Sequence, residues 1–286
     1  MKNALIAGLV FFGSCKSTET INRFAKSASS GTAEISRSTL SFSNICRLYD
    51  PAALAGYTDS TLYAKSVHPV IHCKEFKTAD SLTDLISQTL VNYFSMLQAV
   101  SDKKLIAYNA QELVNSLADI QPQVYPPLSL NAEKISAVRG LLNSILNEPF
   151  KWYRYKKLVS TMQQNNSALG RVINAYSFIL DSALAGEIRQ AKENYNSFVY
   201  APLYEWSRST VEKVMVNQQY KQFLLSLDNE QKKIHKAILM LNLIQKDHYL
   251  LAYGKPPAGF AYTEGEISQD IILINKIITE LIQLIK

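Results

Sequence analysis

The chain has 286 residues, with 30 Lys and Arg against 24 Asp and Glu for a net charge of +6, and 47% of its residues are hydrophobic. With only 10 Gly and 9 Pro, that composition excludes collagen-like, low-complexity and wholly disordered chains. It also supplies enough apolar side chain for a real core in one large domain or two small ones.

The N-terminus carries Lys2, an apolar run from Ala4 to Phe12, then Gly13, Ser14 and Cys15, followed by the polar stretch Lys16-Ser17-Thr18-Glu19-Thr20. A basic residue, a short apolar run and two small residues have the order of a secretory signal, and the run is well short of the roughly 20 residues that span a bilayer. Phe12-Gly13-Ser14-Cys15 resembles the lipobox of bacterial lipoproteins, with Phe12 where Leu is commonest. The resemblance is confined to this short stretch. It implies a signal peptide over residues 1–14, acylation of Cys15 as the mature N-terminus, and a bilayer as first partner; two or more acyl chains hold stably where one is marginal. Lys16, and not Asp, after the cysteine implies outer-membrane over inner-membrane delivery.

Three cysteines would leave an odd thiol in a secreted protein, but lipidation of Cys15 leaves Cys46 and Cys73 as a pair. An oxidising envelope permits their disulfide. Closing a loop of about 28 residues contributes roughly 3 to 4 kcal/mol in the chain-entropy account.

Residues 15–43 are rich in Ser and Thr, with Gly31 among sparse apolar positions at Ile21, Phe24, Ala28, Ile35 and Phe42. They read as a lipidated cysteine and polar tether merging into a first helix. Residues 50–79 hold Asp50-Pro51, Gly56 and Pro69 without a sustained helical period, and read as an irregular segment closed by the disulfide. Leu82, Ile86, Leu90, Tyr93, Leu97 and Val100 then lie three and four apart on one helix face, with Asp80 as its cap. Asn109 with Glu112 opens a short helix through Ile120, closed by Pro122, Pro126 and Pro127. Ile135, Val138, Leu142 and Ile145 mark another, and Pro149 begins or kinks the next, a possible sub-boundary near 148–150.

Beyond Gly170 a seam runs through Ile173, Tyr176, Leu180, Ala183, Ile188, Ala191, Tyr195 and Phe198, interrupted by Pro202. Asp228 with Gln231 caps a helix carrying Ile234, Ala237, Leu241, Ile244, His248 and Leu251. Thr263 with Glu266 caps the last, whose Ile267, Ile271, Ile274, Ile278, Leu281 and Ile285 keep a strict four-three repeat. Residues 202–227 are the least regular, because Asn217, Gln218 and Gln219 break their apolar face. The pattern predicts an all-α fold: an elongated antiparallel bundle of long helices, one domain over residues 44–286. The polar stripe of Asn275, Lys276, Thr279, Glu280 and Gln283 makes the final helix a bundle helix and not a membrane span.

Chemistry-bearing patterns are few. His68, His72 and Cys73 offer two imidazoles and a thiolate, but Pro69 opposes a helical presentation and Cys73 is better used as a disulfide partner. His235 and His248 fall on different faces of one helix, and His248 reads as a core histidine with satisfied hydrogen bonds. No Glu is followed by His three residues later, and there is no Gly-x-Ser-x-Gly, phosphate-binding loop or His-Glu-x-x-His. No metal, cofactor or catalytic residue is therefore assigned.

Two surface candidates remain. Phe150 to Lys157 interleaves cations with aromatics, and Lys151, Trp152, Arg154, Tyr155, Lys156 and Lys157 are candidate contacts for a protein or an anion, in the half of the chain that holds the positive excess. Behind a signal peptide the available anions are headgroups, glycans and partner proteins, so nucleic acid is disfavoured. The second is the loop before the last helix, with Lys255, Phe260 and Tyr262 as candidate contacts. The bland alternative for both is that the aromatics fold into the core. The functional expectation is an envelope lipoprotein acting as a non-catalytic interaction or structural module toward an envelope protein or glycan. The competing expectations are a membrane-active helical protein, and an enzyme or ligand binder with a pocket in the bundle core. Nothing in the pattern sets the oligomeric state.

Overall fold

The structure, a computed structural model, describes residues 6–38, 40–48, 73–101, 140, 154–254 and 264–285. Secondary structure among the described residues is helical, without a strand: α1 (Ile6–Arg37), α2 (Phe42–Leu48), a 3-10 turn (Cys73–Phe76), α3 (Lys77–Ser101), α4 (Arg154–Phe178), α5 (Ala185–Tyr195), α6 (Ala201–Trp206), α7 (Thr210–Tyr253) and α8 (Glu264–Ile285). The all-α expectation holds. The helices expected around 109–120 and 135–145, and the cap at Thr263, lie outside the described residues.

Five helices close a ring in the order α8, α1, α3, α4, α7 and back to α8. Ser29 meets Ser95 while Ser36 meets Asp84, so α1 and α3 are antiparallel. Gln163 reaches Ala252 and Asn166 reaches His248, so α4 and α7 are antiparallel; Lys246 to Asp270 and Lys236 to Glu280 show the same for α7 and α8. An odd ring cannot alternate all the way round. The parallel pair is α1 with α8, where Ser27 bonds Asn275 and Gly31 lies beside Ile278.

The periodic residues fill the ring: Phe24, Leu90, Tyr93, Phe94, Leu97, Ile173, Tyr176, Leu241, Ile244, Ile274 and Leu281 are buried. Full burial of each such aliphatic or aromatic side chain contributes about 1.5–3 kcal/mol before entropy is set against it.

The Ser and Thr residues expected in a tether are, from Asn22 onward, the contact surface of α1. Asn22 donates to the Gln98 carbonyl and to Ser101 Oγ, Ser29 Oγ lies 2.8 Å from Ser95 Oγ, and Ser87 donates to the Thr32 carbonyl at 2.9 Å. Small hydroxyl side chains let two backbones approach while their polar atoms pair across the gap. Gly31 extends this logic to α7: a Cβ there would fall 2.6 Å from Met240 Sδ.

Short α2 is held by its neighbours. Ser41 Oγ accepts from the Asn44 N–H at 3.0 Å, and the Asp80 carboxylate accepts from the N–H groups of Phe42 at 2.7 Å and Ser43 at 3.1 Å. These are the first-turn donors that a helix cannot satisfy itself. The sequence pattern makes Asp80 the cap of its own helix; α3 instead starts at Lys77 and Asp80 caps α2. The Cys46–Cys73 disulfide is formed, with Cα atoms 5.6 Å apart, and Phe42 stacks on Phe76 with centroids 6.1 Å apart.

From Arg154 to Trp206 the chain is one helical run containing two π turns, Ile179–Leu184 and Asn196–Tyr200. The seam explains the first. Its steps are three or four residues except from Ala183 to Ile188, which is one residue too long. A π turn absorbs the extra residue, so both stay buried. The second lies just before Pro202, which lacks an N–H and crowds the carbonyl one turn back. Widening the helix there lets it continue through the proline where the sequence suggested a break.

Candidate functional site

At one end of the ring the chain continues as a two-helix hairpin. The second π turn and α6 ascend, and α7 returns from Thr210. No side chain from 196 to 222 is fully buried; α7 contributes to the core only from Phe223 onward. The exposed portion of α7 is about 20 Å long at 1.5 Å per residue. The expected helix start at Asp228 is corrected: α7 runs straight through it, and Asp228 pairs with Lys232 at 2.6 Å.

The true start is Ser209. Its Oγ accepts from the Glu212 N–H, and the Glu212 carboxylate accepts from the N–H groups of Ser209 and Arg208, a capping box that closes the tip of the hairpin. Those backbone donors hold the Glu212 carboxyl below the usual range.

An aromatic ladder zips the hairpin. Tyr195 stacks on Phe223 with centroids 3.9 Å apart, Tyr200 on Tyr220 at 4.2 Å, and Tyr204 lies beside Tyr200 with the Lys213 ammonium 5.2 Å from its ring. Asn217, which interrupts the apolar pattern in sequence, accepts from the Tyr200 hydroxyl at 2.8 Å. The irregular composition of this segment therefore belongs to a polar-edged inner face.

Between Val211 and Leu225 the side of α7 turned away from the preceding helical run is exposed. Val211, Val214, Met215 and Leu225 are 69%, 58%, 56% and 56% exposed, and Trp206 at the tip is 45% exposed. Val211, Val214, Met215 and Leu225 share one side of α7 with Gln218 and Gln222 at three- and four-residue spacing, opposite Tyr220 and Leu227. An uncovered apolar row of this kind is a candidate interaction site.

The ring's polar interior has a different character. Tyr93, Asn166 and His248 join α3, α4 and α7: His248 Nδ1 donates to Asn166 Oδ1 at 3.0 Å, and Nε2 accepts from the Tyr93 hydroxyl at 2.7 Å. His248 is wholly buried, and desolvation pushes its pKa down to about 3, so the imidazole stays neutral. Burial pushes the Tyr93 hydroxyl up. The expected satisfied core histidine is thus found. The adjacent Asp247 is equally buried and neither carboxyl oxygen has a donor. Burial, reinforced by Asp270, lifts its pKa to about 8, and the protonated acid has Asp270 to bond to. Asp270 itself pairs with Lys246 at 2.7 Å.

Of the residues singled out from sequence, Cys46 and Cys73 are brought together. Cys15 lies in the helical backbone of α1 and Arg154, Tyr155, Lys156 and Lys157 in the first turn of α4. Lys151, Trp152, Lys255, Phe260 and Tyr262, with His68 and His72, lie outside the described residues. Among the described residues no group of three or more His, Cys, Asp or Glu is placed to hold a metal, and no helix is long and apolar enough to cross a membrane. The outer row of α7 was missed although its spacing was legible at Val211, Val214 and Met215. The chain matches no known protein family, no curated protein and no solved structure.

Proposed function

We propose that the protein is a lipid-anchored envelope module that works by protein contact, with the projecting hairpin as its contacting element. The observation that carries the reading is the direction of the hairpin. Gly31 of α1 lies at the level of Met240 of α7, and α1 runs antiparallel to α7. At 1.5 Å per residue, Cys15 on α1 and Thr210 on α7 are separated by about 70 Å along the bundle axis. A bilayer holding Cys15 would leave the hairpin tip facing away from it.

This orientation favours contact with a partner beyond the anchoring membrane over insertion of the tip into that membrane. The nearly balanced charge of the hairpin gives no electrostatic pull toward anionic headgroups. The buried Tyr93 and His248 pair is spent on hydrogen bonds between helices, which favours a structural role for that cluster.

The test is the intact mass of the protein extracted from bacterial membranes, beside a Cys15→Ala control. A mass for residues 15–286 plus acyl chains, lost in the control, supports the anchor. An unprocessed chain free of membranes overturns it. Liposome leakage induced by the Cys15→Ala protein would favour the membrane-active reading instead.

A further inference from the structure

We propose that Asp247 of α7 and Asp270 of α8 form a proton-dependent clasp: while they share a proton the first two turns of α8 are held to α7, and loss of that proton lets them open. The inference goes beyond the reading of the hairpin and depends neither on it nor on the lipid anchor.

Two carboxyl groups meet across the contact between α7 and α8. Asp247 is fully buried, and no N–H or O–H of the described residues donates to either of its oxygens. The group within hydrogen-bond reach is the carboxyl of Asp270, whose Oδ2 accepts from the Lys246 ammonium at 2.7 Å. An ionised carboxylate only accepts, so the two groups can bond only while one of them keeps its proton and donates it. When that proton leaves to water, two acceptors face each other with no hydrogen between them, and one of the two charges is buried. The Asp270 side chain, 14% exposed, connects the pair with solvent.

The neighbouring helices do little to offset the new charge. From α8 the pair is faced by Glu266, one turn before Asp270, and from α7 by Lys246, which Asp270 already engages. His248 is turned to Tyr93 on α3 and Asn166 on α4. On α1, Phe24 lies seven residues before Gly31 and so at the level of Asp247, seven after Met240; Phe24 and Ile21 are buried there, whereas Arg23 and Lys26 are exposed. Ionised Asp247 therefore sets three carboxylates against one lysine.

The position of the clasp makes its release local. It lies seven residues before Gly254 caps α7 and six after α8 opens at Glu264. Farther along, Lys236 and Glu280 fasten the same two helices, and Ile274, Ile277 and Leu281 are buried in the ring. The end of a helix opens at lower cost than the whole domain, so repulsion at Asp247 acts first on Glu264 to Ile271.

The test is peptide-resolved hydrogen exchange of the full chain at about pH 6.5 and about pH 9, with labelling times scaled to the intrinsic exchange rate. Protection of Glu264 to Ile271 is expected to fall at least about tenfold at the higher pH, while that of α3 and of Ile274 to Leu281 changes little. Asp247→Asn, which keeps a donor for Asp270 without a charge, is expected to hold its protection at both pH values. Infrared spectra of the unsubstituted chain give a second readout that needs no variant: a protonated-carboxyl C=O band present at the lower pH and lost at the higher. Unchanged protection of Glu264 to Ile271 overturns the proposal, as does absence of that band at the lower pH. An equal loss in Asp247→Asn also overturns it, by placing the alkaline opening elsewhere, and a loss spread evenly over the ring overturns it by making the pair a determinant of global stability alone.

Discussion

The carboxylate of Asp80, in the first turn of α3, accepts a hydrogen bond from the backbone N–H of Phe42 at 2.7 Å, thirty-eight residues earlier in the chain. A second bond, from Ser43, makes it the N-terminal cap of a helix to which it does not belong. The seven residues of α2 are too few to persist as an isolated helix. Its fold is therefore dictated by α3 and by the disulfide at Cys73.

Asp80→Ala should destabilise the protein by about 1–3 kcal/mol, because it removes a charged acceptor from two partly buried N–H groups. Asp80→Asn, which keeps one oxygen acceptor, should lose less. Denaturant unfolding of both variants measures the difference, and equal losses would show that the carboxylate acts by another route.

Reduction of Cys46–Cys73 should cost roughly 3–4 kcal/mol and lower the melting temperature by roughly 5–10 °C. Because the bridge and Asp80 hold the same short helix, their losses should not add. A double-mutant cycle with Cys46→Ser, Cys73→Ser and Asp80→Ala tests this, together with the absence of alkylation at both cysteines in native, unreduced protein.

Asp247 and His248 make stability depend on pH in opposite senses. Asp247 keeps its proton in the folded chain to about pH 8, far above the unfolded value, so the unfolded state binds fewer protons and stability falls as pH rises between about 4 and 8. His248, lowered to about 3, costs stability as pH falls below its unfolded value near 6.5. The two slopes oppose each other between about pH 4 and 6.5, leaving a net decline from there to about pH 8. Asp247→Asn should abolish that alkaline decline, with urea midpoints at pH 6 and pH 8 as the measurement.

Deletion of Gly186 should be tolerated. It restores a four-residue step between Ala183 and the following isoleucine, so the first π turn can relax to an α-helix with the seam still facing the ring. Deleting Gln88 from the middle of α3 has no such outlet and should unfold the bundle by rotating Leu90, Tyr93 and Leu97 off their face. Circular dichroism and thermal melting of the two deletions separate these outcomes.

Hydrophobic periodicity made α3, α8, the seam through α4 and α5, and the C-terminal half of α7 legible, because each buries most of the stripe its spacing marks, although in α8 Ile278 is half-buried and Ile285 exposed. Cysteine parity found the disulfide. What escaped were positions where polar residues serve packing. The serines of α1 have the composition of a linker and become intelligible only beside the serines of α3. Asp228 has the residue types of a cap, yet the helix had begun at Ser209, where the aromatic partners of α7 lie on the preceding helical run instead of on its own stripe. The outer row was passed over because local spacing cannot distinguish an apolar stripe that is covered from one that is bare.

The parallel pairing of α1 with α8 also determines how the molecule can be handled. The start of α1 and the end of α8 lie at opposite ends of the ring, and Ile285 finishes near the shoulder from which the hairpin rises. A bulky group attached at Ile285 would crowd the outer row and report on itself. A label intended to leave the hairpin unobstructed belongs at the opposite end of the ring, on an exposed α1 residue such as Arg23.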